Sequence, residues 1–142
     1  MSLLMGELDS IARCAAQYRS ERLAALGLKS CHASYLMGIC DCPGISQEQL
    51  ARRIYQNKSS VARQLAVLEE AGVVRRVCCD SDRRVTELYP TEQAEAALPE
   101  IRQGLGQWEA WVTQDLTQAE RRSLELLLGK LKARAAARIG QD

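Results

Sequence analysis

The sequence predicts a mainly α-helical protein with one small β-hairpin. The helix formers Ala, Leu, Glu, Gln and Arg dominate both ends of the 142-residue chain, Phe is absent and Pro occurs only three times. One stretch has a different character, because residues 73–89 have the pattern of a strand, a polar turn and a second strand. We therefore expect a hairpin between two helical parts of the chain.

Composition and charge exclude several classes of protein. With 46% hydrophobic and 26% charged residues, the chain can bury a core of ordinary size, which excludes a disordered or collagen-like protein. No apolar run approaches the ~18 to 20 residues that cross a bilayer, so no membrane partner is expected. The six cysteines lie in a full-sized domain without a secretory N-terminus, and we interpret them as thiols of a cytoplasmic protein.

Two helical patterns come first. From about Leu4 to Leu26, apolar residues recur at steps of three and four, as on one face of a helix. These residues are Leu8, Ile11, Ala15 and Tyr18. A second helix of about ten residues carries Ala33, Leu36, Met37 and Cys40 on one side. Residues 41–44 (Asp-Cys-Pro-Gly) end this helix, and Ile45 is expected to form a very short strand.

Two short helices follow in close succession. Ser46 and Gln49 have the spacing of a capping box, which opens a helix with Leu50, Ala51 and Ile54 facing inward. Asn57 is a good N-cap for the next helix, which carries Val61, Leu65 and Leu68 and ends at Gly72. The connection is only about three residues long, and such a connection is typical of a helix-turn-helix.

The hairpin that follows completes a winged helix-turn-helix, in which the second helix enters the major groove of DNA and the hairpin is the wing. The charge along the chain agrees with this interpretation. Residues 46–84 carry eight cations and five carboxylates, a net charge of +3, whereas the other 11 cations and 13 carboxylates give −2. The overall net charge of +1 therefore conceals a basic segment of the kind that binds DNA.

Two long helices end the chain. Thr91 can cap a helix that runs to about Asp115, in which Pro99, Gly104 and Gly106 favour a bend. Residues 117–120 form a second capping box before a last helix, which extends to about Ile139. The apolar faces of the terminal helices have little in their own chain to pack against. We therefore expect residues 1–30 and 91–142 to form a helical dimerisation region around a DNA-binding domain at residues 31–90.

One local motif resembles the MarR family of transcription regulators. Residues 80–84 (Asp-Ser-Asp-Arg-Arg) are followed seven residues later by Thr91-Glu92, as in that family's wing and fifth helix, and the order of elements agrees over nearly the whole chain. Two residues depart from the family pattern near the joint between wing and fifth helix, namely Pro90 and Ala94. The resemblance implies a homodimer that represses transcription by binding double-stranded DNA with a palindromic operator, and no enzyme activity or cofactor.

The resemblance also implies roles for individual residues. Arg84 at the wing tip would enter a minor groove, oriented by an ion pair with Asp82, and Arg83 lies beside it. The polar face of the recognition helix would contact phosphates and base edges. That face carries Lys58, Ser59, Ser60, Arg63 and Gln64.

The signal that such a regulator senses stays open. Family members often bind small aromatic effectors, and candidate pocket residues are Tyr18, His32, Trp108 and Trp111, although the tryptophans are equally well explained as core or interface anchors. The alternative is redox sensing by Cys14, since family members use cysteines of the first helix. We expect Cys14, Cys31 and Cys40 to be buried and inert. A zinc site is not expected, because Cys40 and Cys42 lack zinc spacing and His32 is the only histidine.

Overall fold

The computed structural model describes residues 3–140, so residues 1, 2, 141 and 142 of the expected dimerisation region lie outside the described residues. Six α-helices and three short strands occur in this range. Their bounds are α1 Leu3–Leu23, α2 Ala33–Asp41, β1 Ile45–Ser46, α3 Gln47–Arg53, α4 Lys58–Glu70, β2 Val74–Cys78, β3 Thr86–Pro90, α5 Glu92–Val112 and α6 Gln118–Arg138. One-turn 3-10 helices lie at Ala24–Leu26 and Ser30–His32. The predicted mainly helical fold with a β-hairpin is confirmed.

The chain divides into two compact units, one ending at Leu105 and the other beginning at Gly106. The first unit holds a dense apolar core from α2, α3, α4 and the sheet. Its fully buried side chains include Leu36, Ile39, Leu50, Val61, Leu65, Leu68, Val73 and Leu88. Burying a side chain of this size contributes roughly 1.5–3 kcal/mol, so these contacts are the main stabilising term of the winged part.

Side-chain caps define the helix-turn-helix as the sequence predicts. The Ser46 hydroxyl accepts from the Gln49 N–H at 3.0 Å, and the Gln49 side chain accepts from the Ser46 N–H at 3.0 Å. The Asn57 side chain caps α4 by accepting from the Ser60 N–H at 2.8 Å. Between the two helices Tyr55 has a φ of 57°, the only positive φ of a non-glycine residue among residues 3–140. A left-handed residue at this position makes the turn tight enough for α4 to begin three residues later.

The hairpin belongs to a three-stranded antiparallel sheet with the order β1-β3-β2. Arg76 of β2 pairs with Leu88 of β3, and Leu88 pairs in turn with Ile45 of β1. Ile45 and Leu88 are both buried, so the very short strand expected at Ile45 is confirmed. This pairing fixes the start of α3 against the base of the wing.

Thr91 links the end of α4 to the start of α5. Its hydroxyl donates to the carbonyl of Gly72 at 2.6 Å and accepts from the N–H of Ala94 at 3.2 Å. Gly72 has a φ of 79°, a left-handed conformation that ends α4. Ala94 is fully buried, so the joint accommodates the alanine that departs from the family pattern.

The second unit contains the end of α5 and all of α6. α5 continues past Pro99 and ends at Val112, three residues before the predicted end, because Thr117 takes the extended conformation of an N-cap and needs a tight turn before it. The capping box of Thr117 and Glu120 is present, with hydrogen bonds of 2.9 and 3.1 Å. Arg121 forms ion pairs with Glu109 and Glu125. Within the described part of this unit, Ala136 is the only buried residue.

Candidate nucleic-acid interface

The polar face of α4 is built around its N-cap. The Asn57 side-chain oxygen Oδ1 accepts from the Ser59 hydroxyl at 2.9 Å as well as from the Ser60 N–H. One turn later, Arg63 donates to the Ser60 hydroxyl at 3.3 Å. Lys58, Ser59 and Arg63 are exposed, whereas Ser60 is partly buried. The first turns of α4 therefore present hydroxyl and cationic groups from an ordered backbone.

The wing tip holds one arginine in a fixed orientation. The Arg84 guanidinium meets Asp82 through two contacts, Nε to Oδ1 at 3.1 Å and NH2 to Oδ2 at 3.3 Å. The backbone N–H of Arg84 also donates to Oδ1 at 3.0 Å. These hydrogen bonds lower the pKa of the Asp82 carboxyl below its ordinary value, while the Arg84 side chain stays 91% exposed. The ion pair predicted from the sequence is present, and it presents a planar cation to solvent.

Ion pairs divide the cations of residues 46–84 into two groups. Four are paired within the chain, namely Arg53 with Asp41, Lys58 with Glu48, Arg76 with Glu69, and Arg84 with Asp82. The Arg76 pair measures 2.8 Å, ties the end of α4 to β2 and lowers the pKa of Glu69 through its hydrogen bond. Within residues 3–140, Arg52, Arg63, Arg75 and Arg83 form no ion pair. Arg75 instead stacks on the Tyr89 ring at 5.1 Å.

Comparisons with known proteins agree with this geometry. A sequence model of the MarR family matches residues 26–85, the winged part with its preceding helix. A crystal structure of MarR is 29% identical, covers 96% of this chain and 99% of its own, and superposes with a TM-score of 0.80. These matches show that the chain resembles MarR-family transcription regulators and shares their winged helix-turn-helix fold.

Two further proteins are similar to this chain over nearly its whole length. An uncharacterized HTH-type transcriptional regulator of Bacillus subtilis, YybA, is 25% identical over 132 residues, which cover 93% of this chain and 88% of YybA. A putative MarR-family regulator of Listeria monocytogenes, solved in complex with a 26mer DNA, is 23% identical. The alignment covers 100% of this chain and 98% of the Listeria chain, with a TM-score of 0.87. Both span nearly the whole chain, so the likeness extends beyond the winged part.

Gln64 has a partner within the chain that the sequence did not indicate. His32 is 3% exposed, and its Nδ1 accepts from the Lys29 N–H at 3.0 Å. The ring proton therefore lies on Nε2, which donates to the Gln64 side-chain oxygen at 2.8 Å. Gln64 is partly buried, and its side-chain oxygen is occupied by the His32 ring. Its position between the core residues Val61 and Leu65 is the sequence signal that places it at the edge of the polar face.

Of the four candidate effector residues, Tyr18 and His32 belong to the first unit, and Trp108 and Trp111 belong to the second. The Tyr18 hydroxyl donates to the Gly104 carbonyl at 2.8 Å, with the Arg22 guanidinium 4.9 Å from its ring, and His32 is engaged as described above. Trp108 is partly exposed and Trp111 is 67% exposed, both in the second unit.

None of the four lines the large cleft of the first unit, which has a volume of about 610 Å³. Its walls include Arg19, Ser34, Tyr35, Ser60 and Gln64. Burial raises the pKa of the Tyr35 hydroxyl, which keeps that group protonated and able to donate.

The expectation of buried, inert cysteines is wrong for two of the three residues named. Cys14 and Cys31 are exposed and Cys40 is partly buried, and all six described cysteines are free thiols. Among the residues of α1 only Ala15 and Leu23 are buried, so most of this helix is accessible to solvent, including the Cys14 side chain. Cys31 lies on a one-turn helix and lines the large cleft. Burial raises the pKa of the Cys40 thiol, which lowers its reactivity.

Residues 3–140 contain neither a cluster suited to a metal ion nor a helix suited to crossing a membrane. No group of three or more His, Cys, Asp or Glu side chains in this range is placed to hold a metal ion. No helix in the same range combines the length and apolar character that a membrane span requires.

Proposed function

We propose that this chain is a MarR-family regulator, a homodimeric, sequence-specific repressor that binds a palindromic operator in the cytoplasm. The observation that carries the proposal is the fixed, exposed Arg84 guanidinium on the wing beside a helix whose exposed face carries Lys58, Ser59 and Arg63. A narrow minor groove concentrates negative potential and favours such a planar cation, while the major groove admits a helix.

The side chains of α4 divide by chemistry. Lys58, Ser59 and Ser60 suit phosphate oxygens, and the longer Arg63 suits the O6 and N7 acceptors of guanine. Gln64 contributes its amide NH₂, since its oxygen is engaged by His32. Arg83 and Arg84 contact the backbone and minor groove at the wing, with Asp82 as the orienting group. This assignment supports residues 31–90 as the DNA-binding domain.

The terminal helices support a dimer. Four exposed leucines on α6, at positions 124, 127, 128 and 131, follow helical spacing and form one apolar stripe. A single winged helix reads one half-site, whereas a two-fold dimer reads two half-sites about one turn apart. A second copy of the chain is therefore the partner that we assign to residues 1–30 and 91–142.

The regulating signal that we propose is a small aromatic effector that relieves repression. The large cleft is lined by Ser60 and Gln64 of α4, so a molecule bound there contacts the recognition helix directly. Tyr18, His32, Trp108 and Trp111 remain our candidates for residues that respond to it. An effector that binds better to a dimer with mismatched recognition helices lowers DNA affinity by population shift. Small aromatic compounds should then release labelled DNA from the wild-type chain in a concentration-dependent manner, and fluorescence anisotropy of the DNA measures this release.

The second candidate signal is oxidation of Cys14, which the exposure of its thiol favours. Peroxide should then weaken DNA binding of the wild-type chain and leave a Cys14→Ser variant unaffected. Equal behaviour of the two proteins removes this candidate.

Fluorescence anisotropy tests the proposed function itself. Labelled duplexes that tile the region upstream of the protein's own gene are titrated at several salt concentrations. At least one duplex should bind with an affinity that falls linearly on a log–log plot against salt. Absent or salt-independent binding to every duplex contradicts the proposal.

A further inference from the structure

A second, smaller cleft lies between the helix-turn-helix and the wing. It has a volume of about 250 Å³, and its walls come from the start of α3, the first turn of α4 and the wing residues just before β3 and at its start. The side chains that matter are Gln47, Glu48, Lys58, Arg84 and Thr86. The β1–β3 pairing of Ser46 with Glu87 fixes the two sides of this cleft relative to each other.

The position of the cleft follows from how a winged helix binds DNA. A helix in the major groove and a wing in the adjacent minor groove are separated by one sugar–phosphate strand, because that strand is the ridge between the two grooves. The strand must therefore pass between α4 and the wing. The small cleft occupies this place, and Lys58 and Arg84 stand on its opposite sides.

The two cations of the cleft are held very differently. Arg84 keeps two side-chain contacts and one backbone contact with Asp82. Lys58 has a single contact to Glu48 at 3.7 Å, with the two side chains 79% and 63% exposed. Such a long, solvent-exposed pair is weak. Glu48 is also the only carboxylate that lines the cleft, where it repels a phosphate.

The proposed function places one phosphodiester strand of the operator in this cleft, and we propose that Lys58 exchanges Glu48 for a phosphate of that strand when DNA binds. Glu48 thereby limits the affinity for DNA. The Gln47 amide and the Thr86 hydroxyl supply neutral hydrogen-bond donors in the same cleft. The inference rests on the proposed function, because it requires α4 and the wing to bind adjacent grooves.

Glu48→Gln is the first test, made in the full chain with a duplex that the wild type binds in a salt-dependent manner. Removing the counter-charge should tighten binding about three- to tenfold, because Lys58 no longer has to leave a carboxylate. Glu100→Gln is the matched control, since Glu100 is exposed and forms no ion pair within residues 3–140. It should change the affinity less than about twofold. Unchanged binding by Glu48→Gln, with wild-type binding intact, overturns the inference and leaves the proposed function standing.

A double-mutant cycle separates exchange from a general charge effect. Lys58→Ala should weaken binding and reduce the slope of log affinity against log salt by about one. In the Lys58→Ala background, Glu48→Gln should then have little further effect. If Glu48→Gln tightens DNA binding as much in the Lys58→Ala background as in the wild type, Glu48 acts only as a nearby negative charge. That result overturns the proposed exchange of Glu48 for a phosphate. Thermal melts by circular dichroism should be unchanged in all variants, since both side chains are exposed. Failure of the wild type to bind any duplex instead overturns the proposed function, and the inference with it.

Discussion

The N-terminal unit has an apolar core of its own, whereas the C-terminal unit leaves most of its apolar side chains exposed to solvent. Of the 19 buried apolar residues within residues 3–140, 18 lie at or before Ile101, and only Ala136 lies in the second unit. α6 exposes Leu126, Leu127 and Leu131 by 63%, 55% and 44%. Both units follow the same helical periodicity in sequence, so periodicity alone does not tell an internal core from a surface that needs a partner.

This difference in apolar burial indicates different functions for the two units. The first unit uses its core to hold α4 and the wing in a fixed relation, which a DNA-binding surface requires. An exposed apolar stripe on the second unit is unfavourable in a monomer and favourable in an assembly. We therefore assign intrachain stability to the core of the first unit and pairing of two chains to the terminal helices, with the exposed stripe of α6 as a main part of the interface.

The largest expected effect is on the core of the first unit. Leu65→Ala removes a fully buried side chain on the inner face of α4 and should lower the free energy of unfolding by about 2–5 kcal/mol. Leu65→Met is the control and should cost less than about 1.5 kcal/mol, because it nearly conserves volume. Urea denaturation followed by circular dichroism measures both. If the alanine variant loses less than about 1 kcal/mol of unfolding free energy, Leu65 is not part of the core.

The next prediction compares two leucines of α6. Leu127 lies on the stripe with positions 124, 128 and 131, and Leu126 points away from it by helical spacing. Leu127→Glu should dissociate the dimer and weaken operator binding on the order of 100-fold, since only one half-site is then read at a time. Leu126→Glu should leave both properties nearly unchanged. Equal behaviour of the two variants in size-exclusion chromatography with light scattering would remove the stripe as the interface.

A smaller effect is expected at the wing tip. Arg84→Ala removes an exposed cation and should weaken DNA binding by about 1–3 kcal/mol without changing the helical content. Arg122→Ala makes the same change of charge on α6, where no ion pair within residues 3–140 involves it, and should have little effect. Anisotropy titrations on samples checked by circular dichroism measure both variants. Normal affinity of Arg84→Ala rejects the role of the wing.

The smallest expected effect concerns the ion pair between α4 and β2. The pKa of Glu69 is lowered in the folded state, mainly by the hydrogen bond from Arg76. The pair therefore stabilises the fold above the ordinary glutamate pKa, and this contribution is lost as the pH falls through the lowered pKa. Glu69→Gln should cost less than about 1 kcal/mol at neutral pH, because the pair is partly exposed, and nothing in strong acid. Glu70→Gln, an exposed neighbour, should show no such pH dependence.

The features that the sequence predicts correctly are local. The caps at Ser46, Asn57 and Thr117 involve partners three residues apart, and the Asp82–Arg84 pair spans two residues. Such short-range hydrogen bonds and ion pairs can be predicted from a sequence, because the local chain conformation brings the partners together.

The features that the sequence does not predict join distant residues or depend on what covers a surface. The His32–Gln64 hydrogen bond spans 32 positions, and the salt bridge from Arg102 to Asp41 spans 61. Their partners are decided by tertiary packing. The burial expected for Cys14 was wrong because the periodicity of α1 shows an apolar face but not which part of that face the chain covers.

In the proposed complex, residues 31–90 bind DNA and the terminal helices pair two chains on it. Sedimentation equilibrium of the wild-type chain with an operator duplex tests this directly, because it measures the mass of the complex. We expect two chains on each duplex. A complex of one chain with one duplex, of equal affinity, would contradict it.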